Sequence, residues 1–220
     1  MGVRSAIALL LIAFQAACAA PPPDPAAILG RAADDLAAAQ TFRFALTREG
    51  PPALLDPVTG ATFSQATGEY RSPDRVHARL KVVIGSFLVA VDALWLPDGV
   101  FVTDPVTGRY ATAPAGATFD AAALFRRDGV AAILRGLREV SLVGEETVDG
   151  TDVRHLGGTA DGVQLRALSG GVLVEGTHTV DVWVDKGRSR VLRVNDRDPV
   201  GGVWKLELSD FGAPVEIGRP

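Results

Sequence analysis

The feature of this sequence that most limits its fold is an alternation of apolar and polar side chains that recurs in separate segments. Thr41–Thr47 places a large apolar residue at every second position, and Val180–Asp185 does the same. In residues 76–82, valine, alanine and leucine alternate with histidine, arginine and lysine. A period of two turns one face of a strand toward a core and the other toward water. The sequence therefore predicts an antiparallel sheet with one buried face.

Helix-type spacing is confined to short segments. Asp24 and Pro25 are a typical helix start, because aspartate caps the first turn and proline suits its first position. The apolar face that follows, up to Ala39, consists of Ile28, Leu29, Ala32 and Leu36. Shorter helices are predicted at 120–125, 129–138 and 161–168, and further strands at 87–96, 100–103, 141–146, 152–158, 191–195 and 203–208. This order of elements predicts an α+β fold.

The first residues of the chain predict export. Arg4 is the only charge before Asp24, and it precedes the apolar run Ala6–Phe14, which is followed by small residues. The run is about nine residues, whereas a membrane-spanning helix needs about 20. We therefore interpret residues 1–17 as a signal peptide that is removed.

The only cysteine, Cys18, stands at the end of this signal and has no partner for a disulfide. Ala16 and Ala17 before it resemble a lipobox, in which the thiol receives a diacylglyceryl group. Gln15 stands where that motif usually has leucine. The alternative is an ordinary cut beside small residues that discards the thiol. Residues 18–24 would be the lipidated cysteine and a proline-rich spacer, since prolines form a stiff extended segment.

Composition limits the partners of the remaining segment, 25–220, which is the size of one domain. The chain has 220 residues and a net charge of −4, without a basic cluster. Nucleic acid is therefore not an expected partner. The three histidines have neither the spacing of a metal site nor that of a catalytic motif. His77 and His155 are expected at the surface, and we expect no catalytic residue, metal or cofactor.

Several segments resemble the LppX/LprAFG lipoprotein family, over about residues 25–220. They are Asp104–Tyr110, Phe119–Phe125 with Gly129 and Ile133–Leu137, Gly144–Gly150, Val182–Asp185 and Leu206–Gly212.

The resemblance implies a strongly curved antiparallel sheet, a half-barrel similar to LolA and LolB, with helices packed on its concave face. It implies an apolar cavity for the acyl chains of a lipid or glycolipid, which the protein carries or presents in the cell envelope. It also implies a monomer that is anchored by lipid at the extracytoplasmic face of the cell membrane. Whether a membrane transporter is a partner stays open.

The residues expected to line the cavity are apolar positions that share one phase of a strand or one side of a helix. They are Leu80, Val82, Phe87, Val89, Val91, Ile133, Leu134 and Leu137. Such positions also suit an ordinary core. An envelope sensor or regulatory domain of similar fold, and an envelope hydrolase without a visible motif, are the alternatives.

Overall fold

The computed structural model describes residues 24–113 and 120–220. The predicted signal peptide, Cys18 and the proline run lie outside the described residues. Within these residues the helices are α1 (Pro25–Ala38), α2 (Ala121–Phe125), α3 (Val130–Arg135) and α4 (Gly162–Leu168). The strands of the described ranges are β1 (Thr41–Glu49), β2 (Ala53–Asp56), β3 (Ala61–Arg71), β4 (Arg75–Ile84), β5 (Phe87–Leu96), β6 (Gly99–Thr103), β7 (Tyr110–Thr112), β8 (Arg138–Val148), β9 (Thr151–Asp161), β10 (Thr177–Asp185), β11 (Val191–Arg197) and β12 (Val203–Ser209).

Helix α1 begins and packs as its sequence predicts. The Asp24 carboxylate accepts a hydrogen bond from the Ala26 N–H at 3.1 Å, and Pro25 occupies the first position. Its predicted apolar face is buried, and Ala33 is buried beside it. The helix predicted at 129–138 is shorter than expected, because Gly136 ends α3 and Arg138 already belongs to β8.

In the described residues all strands form one open antiparallel sheet. The order is β7-β6-β5-β4-β3-β1-β12-β11-β10-β9-β8, and β2 pairs with β3 beside this path. β1 lies at the centre, where Phe44 faces Gly68 of β3 and Leu208 of β12. The predicted α+β fold is confirmed, whereas β2, β3 and β7 were not predicted from the sequence.

The sheet curves around the helices. β5 and β9 are seven strand positions apart, which would be about 34 Å in a flat sheet. Trp95 of β5 and Leu156 of β9 nevertheless belong to one apolar core with Leu29 and Leu36 of α1. Helix α1 packs against β8, β10 and β11, and α2 packs against β4, so one layer of short helices lies on the same face of distant strands and the sheet curves around it. The predicted half-barrel with helices on its concave face is confirmed, and we call that face the inner face.

The two ends of the sheet differ. At the covered end, α2 places Phe125 against the rings of Phe42 and Tyr70, 5.1 and 5.5 Å away. The Asp35 carboxylate of α1 pairs with Arg190 at the same end, at 3.2 Å. The turns of the covered end are 72–74, 97–98, 149–150 and 186–190, and those of the open end are 57–60, 85–86, 104–109 and 198–202.

Candidate functional site

Five of the residues predicted to line a cavity lie together on the inner face of the β4–β5 hairpin. Leu80 is opposite Val91, Val82 is opposite Val89, and Phe87 is opposite Ile84. Directly opposed residues of antiparallel strands point to the same face. Val76 and Trp95, which belong to the helix-covered core, share this register and therefore this face. That these five side chains contact a ligand stays a prediction.

Burial along this face falls from the covered end to the open end. Val76 is fully buried, whereas Phe87, at the tip of the same hairpin, is 75% exposed. Between them Leu80, Val89 and Val91 are half-buried, whereas Val82, one inward position closer to the open end than Leu80, is buried. The inner face of the hairpin is thus partly accessible, and we call the accessible strip at Leu80, Val89, Val91 and Phe87 the candidate groove.

Neighbouring strands extend this groove across the sheet. Leu46 of β1 is opposite both Ala66 of β3 and Leu206 of β12. Leu46 and Leu206 are half-buried, like Leu80. The rings of Phe63 and Trp204 pack 5.0 Å apart on the open side of these residues. The candidate groove, with Leu46 and Leu206 beside it, is therefore apolar from β5 to β12.

The three predicted helical residues have a different environment. Leu134 is fully buried, Leu137 is buried and Ile133 is half-buried in the same core. Leu137 packs directly against the sheet, because a Cβ atom at Gly158 of β9 would lie 3.4 Å from its Cβ atom. β9 is six strand positions from β4. The structure thus separates these residues from the β4–β5 hairpin, and their contact with a ligand also stays a prediction.

A buried polar cluster lies on the inner face at the open end, and the sequence reasoning missed it. His178 of β10 is fully buried, and its Nδ1 lies 2.8 Å from the Asp196 carboxylate of β11. Its Nε2 lies 2.9 Å from the Val174 carbonyl oxygen. Arg48 donates to the Asp198 carboxylate at 2.9 Å, and both side chains are almost completely buried. The sequence does contain an indication of this cluster, because His178 and Asp196 occupy positions in the same phase of their strands as the apolar, inward-facing residues.

The surroundings of His178 favour its charged form. Burial lowers the pKa of its imidazole, but the hydrogen bond and charge of Asp196, together with the Val174 carbonyl and Asp198, outweigh burial and raise the pKa above its ordinary value. Both partners of the ring nitrogens are acceptors only, so both nitrogens donate when the ring is an imidazolium.

Trp204 adds a polar atom to this end of the groove. Its ring lies under the Arg48 guanidinium, 4.8 Å from centroid to Cζ. Its Nε1–H is buried without a hydrogen-bond partner among the described residues. Buried donors are usually satisfied, so this indole N–H is an exception among the described residues.

The outer face contains the other histidines. His155 lies half-buried on the outer face, where its Nε2 is 2.8 Å from Asp181 and its ring stacks on that of Trp183, with centroids 4.4 Å apart. His77 is partly exposed, 3.8 Å from Asp92. Residues 24–113 and 120–220 contain no group of histidine, cysteine and carboxylate side chains suited to a metal ion. They also contain no helix that is long and apolar enough to span a membrane.

Comparison with known proteins places this fold. No curated protein matches the sequence significantly. Among solved structures, LprF from Mycobacterium bovis superimposes with a TM-score of 0.72 at 18% identity, covering 92% of this chain and 99% of that one. Lipoprotein LppX from Mycobacterium tuberculosis gives a TM-score of 0.65 at 18% identity, covering 88% of this chain and 98% of that one. The family description LppX_LprAFG lipoprotein matches residues 24–217. The chain therefore belongs to the LppX/LprAFG lipoprotein family.

Proposed function

We propose that this protein binds the acyl chains of a lipid or glycolipid in the groove on its inner face and carries or presents them in the cell envelope. The observation that carries the proposal is the apolar inner face of β4 and β5, which the helices cover at one end only. Leu80, Val89 and Val91 are half-buried and Phe87 is largely exposed, although all share the face that is sealed by helices further along.

The physical basis is the hydrophobic effect. Moving a lipid tail from a bilayer into water costs about 0.8 kcal/mol of free energy for each methylene that becomes exposed. A groove floored by Leu46, Leu80 and Leu206 removes that exposure, and the tail in turn covers these side chains. Ligand sites of this kind are mostly apolar with few polar groups.

The proposal includes an anchor and excludes catalysis. Lipidation of Cys18, which lies outside the described residues, would hold the domain at the extracytoplasmic face of the membrane through a spacer of a few residues. No reaction is assigned to the groove, since a carrier needs to exclude water but not to make or break bonds.

The test is to purify the protein from its membrane, extract it with organic solvent and analyse the extract by mass spectrometry. We expect an acylated lipid in stoichiometric amount. The control variant Lys81→Trp adds an indole to the outer face, next to Leu80 in sequence, and should retain the lipid. A stable, folded protein without extractable lipid would contradict the proposal and favour an interaction domain of similar fold.

A further inference from the structure

Exposed apolar side chains are concentrated at the open end of the sheet. The covered-end turns present proline, glycine and charged or polar residues. In the described residues, the exposed large apolar side chains in or beside the open-end turns and at the start of α4 are Leu54, Val58, Ile84, Phe87, Leu88, Val106, Val163 and Val200. The remaining two, Leu142 and Val143, lie within the edge strand β8.

Three of the open-end turns have the same construction. Residues 56–58, 104–106 and 198–200 each read Asp-Pro-Val and are followed by a glycine one or two positions later. The turns join β2 to β3, β6 to β7 and β11 to β12, which are distant in sequence. In each turn the valine is exposed, by 92% at Val58, 91% at Val106 and 57% at Val200.

The aspartate of each turn binds its own backbone. Asp56 accepts from the Val58 N–H at 2.8 Å, Asp104 from the Val106 N–H at 2.9 Å, and Asp198 from the Val200 N–H at 3.1 Å. Proline has no N–H to satisfy and fixes the turn. The N–H groups of these tips thus have internal partners, which lowers the penalty for removing a turn from water.

This arrangement suits a bilayer better than a protein partner. A stable protein interface has a contiguous, tightly packed centre from which water is excluded, whereas these valines stand on separate hairpin tips around a curved rim. A bilayer accepts each tip independently. The carboxylates stay at the level of the headgroups, because the hydrogen bond from Thr59 lowers the pKa of Asp56 and those from Thr107 and Val106 lower the pKa of Asp104.

The predicted anchor is consistent with such a position. Between Cys18 and Asp24 the chain can span about 20 Å when fully extended, so a lipidated Cys18 would keep the domain close to the bilayer. The groove opens at the same end as the three turns.

We propose that the Asp-Pro-Val turns at 56–58, 104–106 and 198–200, together with Leu88, are a docking surface that inserts shallowly into the lipid bilayer. Docking there brings the open end of the groove against the membrane. The role in lipid exchange rests on the proposed function, but the binding to membranes does not.

The test uses the domain of residues 24–220, which contains every described strand and the apolar core, and vesicles of phosphatidylcholine. The combined variant Val58→Ser, Val106→Ser, Val200→Ser should bind these vesicles at least about ten-fold more weakly than wild type, because burial of apolar area drives insertion. Val143→Ser on β8 is the matched control, because Val143 is 59% exposed, like Val200. The control should bind like wild type, and thermal unfolding should show that each variant is folded.

A second measurement places the contact. In Val106→Trp the indole emission should shift to shorter wavelength when vesicles are added, and in Val143→Trp it should not. No binding by wild type, equal loss in the control, or binding that requires anionic lipid and disappears with salt would overturn the proposal. Self-association without vesicles that the triple variant abolishes would assign the turns to a contact between copies instead. The lipid content of the triple variant should be unchanged, so failure of docking and failure of the groove are distinguishable.

Discussion

Replacing Leu80 by tryptophan distinguishes a groove from a core. Leu80 is half-buried on the inner face, between Ala66 of β3 and Val91 of β5. In a filled core an added indole would force neighbouring side chains out of place, at a cost of about 1–3 kcal/mol. In an open groove the ring occupies space that is otherwise available to the ligand, so stability should change little.

The expected loss of lipid affinity can be calculated from the number of tail methylenes that the indole displaces. Leu80 and Ile84 are four residues apart in the inward phase, with Val82 between them, so the strip from Leu80 to Ile84 is about 13 Å long. An indole at its deep end would displace roughly four methylenes, worth about 3 kcal/mol. That loss weakens binding by a factor of roughly 100 to 200.

The assay combines thermal unfolding with displacement of a fluorescent fatty acid from Leu80→Trp and from Lys81→Trp. Lys81 is exposed on the outer face of the same strand, and its variant should bind like wild type. A fall in stability of Leu80→Trp without any change in binding would show that Leu80 is core, and the reasoning from its partial burial would be refuted.

Three further outcomes are expected. His178→Gln should lower the free energy of unfolding by about 3–5 kcal/mol, because Asp196 is then buried without its charged partner. Since the pKa of His178 is raised in the folded state, this difference from wild type should be fully present below about pH 6.5 and should diminish as the pH rises through the folded pKa. Equal differences in urea unfolding at about pH 5.5 and pH 9 would contradict the assignment of a charged His178. Cys18→Ser should move the protein from the detergent phase to the aqueous phase or leave the signal uncut, because stable anchoring needs two lipid signals; unchanged partitioning would favour ordinary cleavage. Gly68→Ala should destabilise the sheet strongly, because a Cβ atom there would lie 2.2 Å from the His77 carbonyl oxygen and 2.7 Å from the Phe44 ring, and wild-type stability of this variant would contradict the packing.

The strands that the sequence predicted are those with large inward side chains. β1, β4 and β10 place phenylalanine, valine and leucine at alternate positions, and all three are observed. β3, next to the central strand of the sheet, was not predicted, because Ala66 and Gly68 occupy inward positions and only large apolar side chains at such positions give a clear strand pattern. Gly68 leaves room for the Phe44 ring, so the reason for the weak signal is a packing requirement that only the neighbouring strand reveals.

The candidate site was predictable in part for a similar reason. Alternation alone placed Leu80 and Val82 on one face of their strand and Phe87, Val89 and Val91 on one face of theirs, and the register shows that the two sets share the same face of the sheet. How far the helices extend over that face depends on the curvature of the sheet, which no local pattern encodes. The polar cluster could have been suspected from Asp196 in an apolar phase, but its partner His178 lies on a neighbouring strand.

Photo-crosslinking with a fatty acid that carries a diazirine near its methyl end tests the central claim most directly. After irradiation, digestion and tandem mass spectrometry, the acyl chain should be attached to inner-face residues of β4 and β5, at Leu80, Val82, Val89 or Val91. Attachment only to outer-face residues such as Arg79 or Lys81, or no attachment to folded protein, would contradict the assignment of the inner face as an acyl-binding groove.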